Sequence, residues 1–343
     1  MIKIKEWLLN NIGLISIYLI ITSVGNSILF HFFKNTNILK FTDPIFGFDY
    51  INLNFFNLDI FDMRIAIDES SYFSFTYLNY IFYLFFLVGV ILYWHSKQKE
   101  KRILKFSYSI IFIFSFLSLF NRIKYLFKAE EFKPLYIVFF MKIILIIYLC
   151  YIILKYWKKK EKYIKIEKLQ LIDYRKFKYK RTITFNRFVH FSIDTFLIFS
   201  IFSNYVRRLP KEWIRFLENE FGNDISRFLL FTIFSTIYYV FFEAIFKTTP
   251  AKYLTNSSIV SLKNSPLKFE NILGRTLARR IPFNSFSFFG KLGWHDMASN
   301  TTVVQLEKDT DAKKYDIIIS IIVITIIVLF TYLIVREDYF NFF

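Results

Sequence analysis

About seven stretches of roughly 20 apolar residues run through the sequence, as in "DIIISIIVITIIVLFTYLIV" at 316–335. An α-helix needs about that length to cross a hydrocarbon core of roughly 30 Å. The stretches are apolar all round, without the stripe that a helix covering a soluble core would show. The fold class is therefore read as all-α: a polytopic helical integral membrane protein. Its spans are placed at 9–32, 72–94, 106–120, 135–155, 188–206, 228–246 and 316–335. The first follows Lys3 and Lys5, is too long for a signal-peptide core and reads as an uncleaved span.

Charge then sets orientation, because Lys and Arg collect on the cytoplasmic side. The loops 95–105, 156–187 and 247–315 are basic and fall on one side, whereas 33–71 is relatively acidic and falls on the other with 121–134 and 207–227. The expected arrangement has the N-terminus in the cytoplasm, in the plasma (inner) membrane of a prokaryote. The net charge of +18 belongs beside the spans, where it meets anionic lipid headgroups. No nucleic-acid motif accompanies it, so nucleic acid is not expected as a partner. The single cysteine, Cys150, excludes an intramolecular disulfide framework and a multi-cysteine metal site.

Four regions are expected: a four-helix membrane region at 1–156, a basic cytoplasmic linker at 157–181, a second membrane domain at 182–304, and a terminal span with its tail at 305–343. Within the long basic loop, "SPLKFENILGRTLARRI" at 265–281 predicts an amphipathic helix, with Ser265 as N-cap and Pro266 at its first position. Leu267, Ile272, Leu273, Leu277 and Ile281 would share one face, and Lys268, Arg275, Arg279 and Arg280 would reach the headgroups from the other. Upstream, 253–264 is compatible with a short β-hairpin.

The fifth span carries the residues of most chemical interest. Arg187, His190 and Asp194 are three and four apart and share one helical stripe. A carboxylate placed roughly 10 Å inward from Arg187 costs at least a few kcal/mol against lipid, so it has to face protein or trapped water, or stay protonated. The sixth span offers a matching polar stripe of Thr232, Ser235, Thr236, Tyr239 and Glu243. An intramembrane polar seam follows, with two readings open: hydrogen-bonded glue between helices, or an ion or proton path. Lys142 in the fourth span either snorkels to the interface or pairs with Asp194 or Glu243.

These segments resemble the RDD family of helical membrane domains, over roughly 182–304. The resemblance rests on "FNRFVHFSIDTF" with Arg187 and Asp194, on "YYVFFEAIFKTTPAK" at 238–252, on "GRTLARR" at 274–280, and on "WHDMASNTTVV" at 294–304, which places the second aspartate at Asp296. Ala251 and Lys247 stand where the family favours glycine, and 281–293 is too short for the span the family usually has there. The resemblance implies a transport-related membrane role, which fold alone does not fix. Lys252, Arg275, Arg279, His295 and Asp296 are expected to form a polar network at the cytoplasmic mouth of the seam.

The expected function is transport of a cation or protons, or assistance to it, with Asp194 as the titrating group. The alternative is a non-catalytic scaffold that binds anionic lipid and partner proteins. A homo-oligomer or a partner membrane protein is expected, and neither cofactor nor metal. His295-Asp296 lacks the three protein ligands that a catalytic metal typically needs, and no hydrolase motif is visible, so enzymatic activity is not expected; the one enzyme reading left open is an intramembrane hydrolase using Asp194 and Glu243.

Overall fold

The computed structural model describes residues 2–33, 76–128, 134–172, 175–206, 209–263, 265–280, 293–308 and 310–336. Most of loop 33–71 and residues 281–292 lie outside the described residues, as does the side chain of Lys142. The chain divides into two compact units, 1–160 and 161–343, and the expected linker at 157–181 crosses the boundary between them.

The first unit contains α1 (Ile2–Asn10), α2 (Ile12–Phe33), α3 (Thr76–His95), α4 (Arg102–Lys128) and α5 (Pro134–Lys159). Sequence neighbours pack in turn, α2 on α3, α3 on α4, α4 on α5. Gly89 lets α3 approach α4 closely, since a Cβ there would stand 2.7 Å from Ile103 Cγ2. The interior is aromatic and aliphatic, with Phe86 edge-on to Tyr108 and Tyr108 edge-on to Trp157. Buried polar groups need partners, and the Tyr108 hydroxyl meets Ser16 Oγ at 2.7 Å.

The second unit begins with a hairpin, β1 (Lys165–Ile172) and β2 (Arg175–Tyr179). There follow α6 (Thr184–Val206), α7 (Lys211–Phe221), α8 (Asn223–Phe246), α9 (Pro250–Leu254), β3 (Ser257–Ser261), α10 (Phe269–Ala278), α11 (Trp294–Ala298), β4 (Thr301–Gln305), α12 (Thr310–Lys313) and α13 (Asp316–Arg336). The antiparallel pair β3–β4 runs in register from Ser257↔Gln305 to Ser261↔Thr301. Single bridges from Tyr163 to Leu306 and from Arg181 to Val304 tie the base of the hairpin to the β4 side. α8 packs against α6, α7 and α10, while α9 and α13 lie on α6.

The fold is mostly helical, as expected, and small sheets are added to it. Five of the expected spans fall within a helix of at least 20 residues, the span at 9–32 is interrupted at Asn11 between α1 and α2, and the one at 72–94 is described only from Thr76. Among the described residues only Asn223–Phe246 is both long and apolar enough to cross a membrane. Ile12–Val24, Phe82–His95 and Asp316–Val328 are shorter apolar helical stretches.

Three local expectations are corrected. Residues 253–264 form no hairpin of their own: β3 pairs with the distant β4, because Thr301–Gln305 supplies a buried edge that a local turn could not. The helix predicted at 265–281 begins only at Phe269, with Lys268 as N-cap in place of Ser265. It does not turn its basic face outward either, since Arg275 is 1% exposed and points to buried carboxylates. Its apolar side is the open one, with Phe269, Leu273 and Leu277 exposed, and α7 is a second amphipathic helix, which has no buried residue and leaves Trp213, Phe216 and Phe221 exposed.

Candidate functional site

The stripe Arg187, His190 and Asp194 faces inward from α6, and all three side chains are buried. Val189, Ile193 and Leu197 are buried beside them, which holds this face against protein. Asp194 Oδ1 accepts from the Tyr238 hydroxyl at 2.8 Å and from the Ala251 amide at 3.3 Å. Its Oδ2 accepts from Thr249 Oγ1 at 2.6 Å. The carboxylate therefore sits at the start of α9, where Thr249 is extended and Pro250 occupies the first turn. Proline has no amide hydrogen to satisfy at that position, and the amide of Ala251 is the one that Asp194 collects. His190 Nε2 meets Thr255 Oγ1 just beyond the other end of α9.

The route from α8 to α9 requires a sharp reversal. Lys247 makes it in the left-handed region, at φ 57° and ψ 27°. A residue with a Cβ pays about 1–2 kcal/mol for that conformation. The turn is held by Ile259, whose amide donates to the Lys247 carbonyl at 2.9 Å, and by Ser258 Oγ, which donates to it at 3.0 Å. Ala251, the other expected glycine position, is helical and fully buried.

A second acid, Glu243, forms the centre of an ion-pair network. Its Oε1 accepts from Lys252 Nζ at 2.7 Å and from Arg279 Nη2 at 2.6 Å, and its Oε2 stands 3.6 Å from Arg275 Nε. Arg275 continues to Asp296 through Nη1, which also donates to Thr301 Oγ1 at 2.8 Å. Arg187 approaches Asp296 from the other side, with Nη2 3.8 Å from Oδ2. The Arg279 guanidinium stacks 3.8 Å from the centre of the Tyr239 ring. Arg280 donates to Ser235 Oγ and, at 3.4 Å, to the carbonyl of Thr232. One network thus links α6, α8, α9, α10 and α11.

Outside the long helices, the surroundings shift the titrating groups in opposite directions. Burial pushes the Lys252 ammonium down, and Arg279 and Arg275 push it further; Glu243 offsets only part of this, leaving it at about 8. Burial acts to raise the Asp296 carboxyl, but Arg275 and Arg187 outweigh it and hold the group well below the usual carboxylate range. Burial lowers His295 to about 3 despite the nearby Asp296, so its imidazole is neutral at neutral pH. No group of three or more His, Cys, Asp or Glu among the described residues is placed to hold a metal ion.

These side chains line a partly open cavity of about 250 Å³ between α6, α8 and the α10–α11 layer. Of the residues singled out in the sequence, Arg187, His190, Asp194, Ser235, Tyr239, Lys252, Arg275, Arg279, His295 and Asp296 line it. Glu243 lies behind the wall, fully buried, and holds three of those cations. The two stripes do meet, but through different partners from those expected: Asp194 bonds Tyr238 and Thr249, while Tyr239 and Glu243 serve the arginines. Tyr238 escaped notice because a tyrosine in an aromatic run reads as packing. Thr249 could have been found, since a threonine before proline is placed to orient a side-chain hydroxyl. Arg280 was legible only as part of the basic face.

Residues 182–338 match the model of the RDD family, a little under half of the chain and a longer stretch than the motifs alone marked out. No curated protein and no solved structure gives a match.

Proposed function

We propose, from the RDD-family character of residues 182–338, that the chain is an integral membrane protein whose RDD segment passes or holds a small ion in the cavity beside Asp194. Charged walls around open space support this reading. Buried ion pairs are costly to desolvate, and protein interiors otherwise close to crystal-like density. A network built only to join helices would gain by packing to closure. Here it borders a partly open space of about 250 Å³.

In this reading the seven long helices span the membrane, with the N-terminus on the cytoplasmic side, in the plasma membrane of a prokaryote. α7 lies in the interface on its exposed Trp213, Phe216 and Phe221. A second copy or a partner membrane protein completes the assembly. Asp194, bonded by three donors, fixes one wall and the start of α9.

The same three bonds favour one competing reading, a scaffold in which the network only stiffens the domain and the chain binds lipid and partner proteins. Proteoliposomes carrying the purified chain and an internal pH-sensitive dye separate the two. Ion flux under an imposed gradient that depends on the protein, and that Ser235→Trp blocks by filling the cavity, supports the transport reading. Protein-free levels of flux under sodium, potassium and phosphate gradients would leave the scaffold.

A further inference from the structure

The charge of the cavity walls defines the class of ion, and the argument rests on the reading of that cavity as an ion site. Five cationic side chains line it, Arg187, Lys252, Arg275, Arg279 and Arg280, against two carboxylates, Asp194 and Asp296. Counting Glu243 behind the wall, cations still outnumber acids by two. The acids are already engaged. Asp194 accepts three hydrogen bonds, Asp296 meets Arg275 and Arg187, and Glu243 meets Lys252, Arg275 and Arg279.

Several guanidinium donors, by contrast, have no hydrogen-bond acceptor among the described residues. Nε of Arg187, Nη1 of Arg279 and Nε of Arg280 are buried and make no hydrogen bond there, and Nη2 of Arg187 has only its 3.8 Å ion pair with Asp296. Arg187 is 9% exposed, so only water held in the cavity can take the place of a partner. A buried charged donor left unpaired is among the more expensive arrangements in a protein interior. The donors come from α6 and from the end of α10, and they line one space.

We propose that this cavity binds an oxyanion of the phosphate class, with Arg187, Arg279 and Arg280 as its donors. The planar guanidinium presents paired N–H groups that match two oxygens of such an anion, and arginine is the side chain best suited to that recognition. The volume lies below the roughly 300–1,000 Å³ of sites for drug-sized ligands, which suits an ion of a few heavy atoms with accompanying water. The positive surplus opposes a metal cation, reversing the sign expected from Asp194 in the sequence. Free phosphate and the phosphate of a lipid headgroup share this chemistry.

Equilibrium dialysis of the full chain in detergent against labelled orthophosphate, repeated with short-chain dihexanoyl phosphatidic acid, tests the proposal. Saturable orthophosphate binding, displaced by sulfate but not by sodium chloride at equal ionic strength, supports a free anion. Binding of the phosphatidic acid alone supports a headgroup. No binding of either by folded wild-type chain overturns the proposal. Arg187→Gln and Arg280→Gln should each weaken binding by roughly tenfold or more, the worth of a charge-assisted hydrogen bond. Arg187 also touches Asp296, so Arg280→Gln, which among the described residues removes hydrogen bonds to Ser235 and Thr232, serves if the first variant does not fold. Unchanged affinity in the folded variants also overturns it. Binding without flux would sink the transport reading and leave this site standing; flux without binding would do the reverse.

Discussion

Replacing Asp194 by asparagine keeps its shape and removes its charge. The amide oxygen can still accept from the Tyr238 hydroxyl and the Ala251 amide, both of which now reach Oδ1. The new NH2 group meets Thr249 Oγ1, which at 2.6 Å donates to Oδ2 in the native chain and would have to reorient. Hydrogen bonds to an ionised group contribute about 1.5–3 kcal/mol each, and neutral ones about 0.5–1.5 kcal/mol. Weakening two bonds and disturbing a third should destabilise the chain by about 2–4 kcal/mol. Asp194→Ala leaves three donors without an acceptor and should cost more, about 3–5 kcal/mol once non-additivity is allowed for. Equilibrium unfolding in detergent micelles, followed by circular dichroism, gives both values. An asparagine variant within about 0.5 kcal/mol of wild type would refute the claim that this carboxylate clamps the start of α9.

Three further perturbations probe the rest of the site. Glu243→Gln removes the only carboxylate beside Lys252 and Arg279 among the described contacts, and should cost about 3–5 kcal/mol in the same assay because it strands buried charge. Lys247→Gly relieves a left-handed residue while leaving its backbone bonds in place, and should stabilise by about 0.5–1 kcal/mol. Lys252 has its pKa lowered from 10.5 to about 8; between those values the unfolded chain holds a proton that the folded chain has released, so this group's contribution to stability rises with pH across that window. Thermal unfolding of wild type and Lys252→Gln from pH 7.5 to 10 should show this slope only in the wild type; parallel curves would remove Lys252 from the account.

The long helices were legible because each announces itself by length and apolar composition, a signal contained within the segment. The inward stripe of α6 was legible for the same reason, since spacing alone puts Arg187, His190 and Asp194 together. What the sequence hid depends on contacts made at a distance. Ser257–Ser261 looked like half of a hairpin, yet its partner lies some 40 residues later, past α10 and α11. The arginines of α10 looked like a headgroup face because their amphipathic spacing is the same whether the far side meets lipid or buried acid. Only the positions of Glu243 and Asp296 decide between these, and periodicity does not carry them. In α7 the signal was present, with Trp213, Phe216 and Phe221 against Lys211, Glu212, Arg215 and Glu220, but it sat inside a segment read as a connecting loop.

The central claim is that the space beside Asp194 is a wet, reachable cavity within residues 182–338, the stretch that matches the RDD family model. Its most direct test is the reaction of Ser235→Cys with a water-soluble methanethiosulfonate reagent in intact membranes, against Ile233→Cys, two residues away and exposed on the surface of α8. Cys150 is buried and supplies the unreactive background. The account predicts rapid modification at position 235, slowed when phosphate is present, and little at position 233. If Ser235→Cys reacts no faster than Ile233→Cys, the cavity is dry and the ion site does not exist.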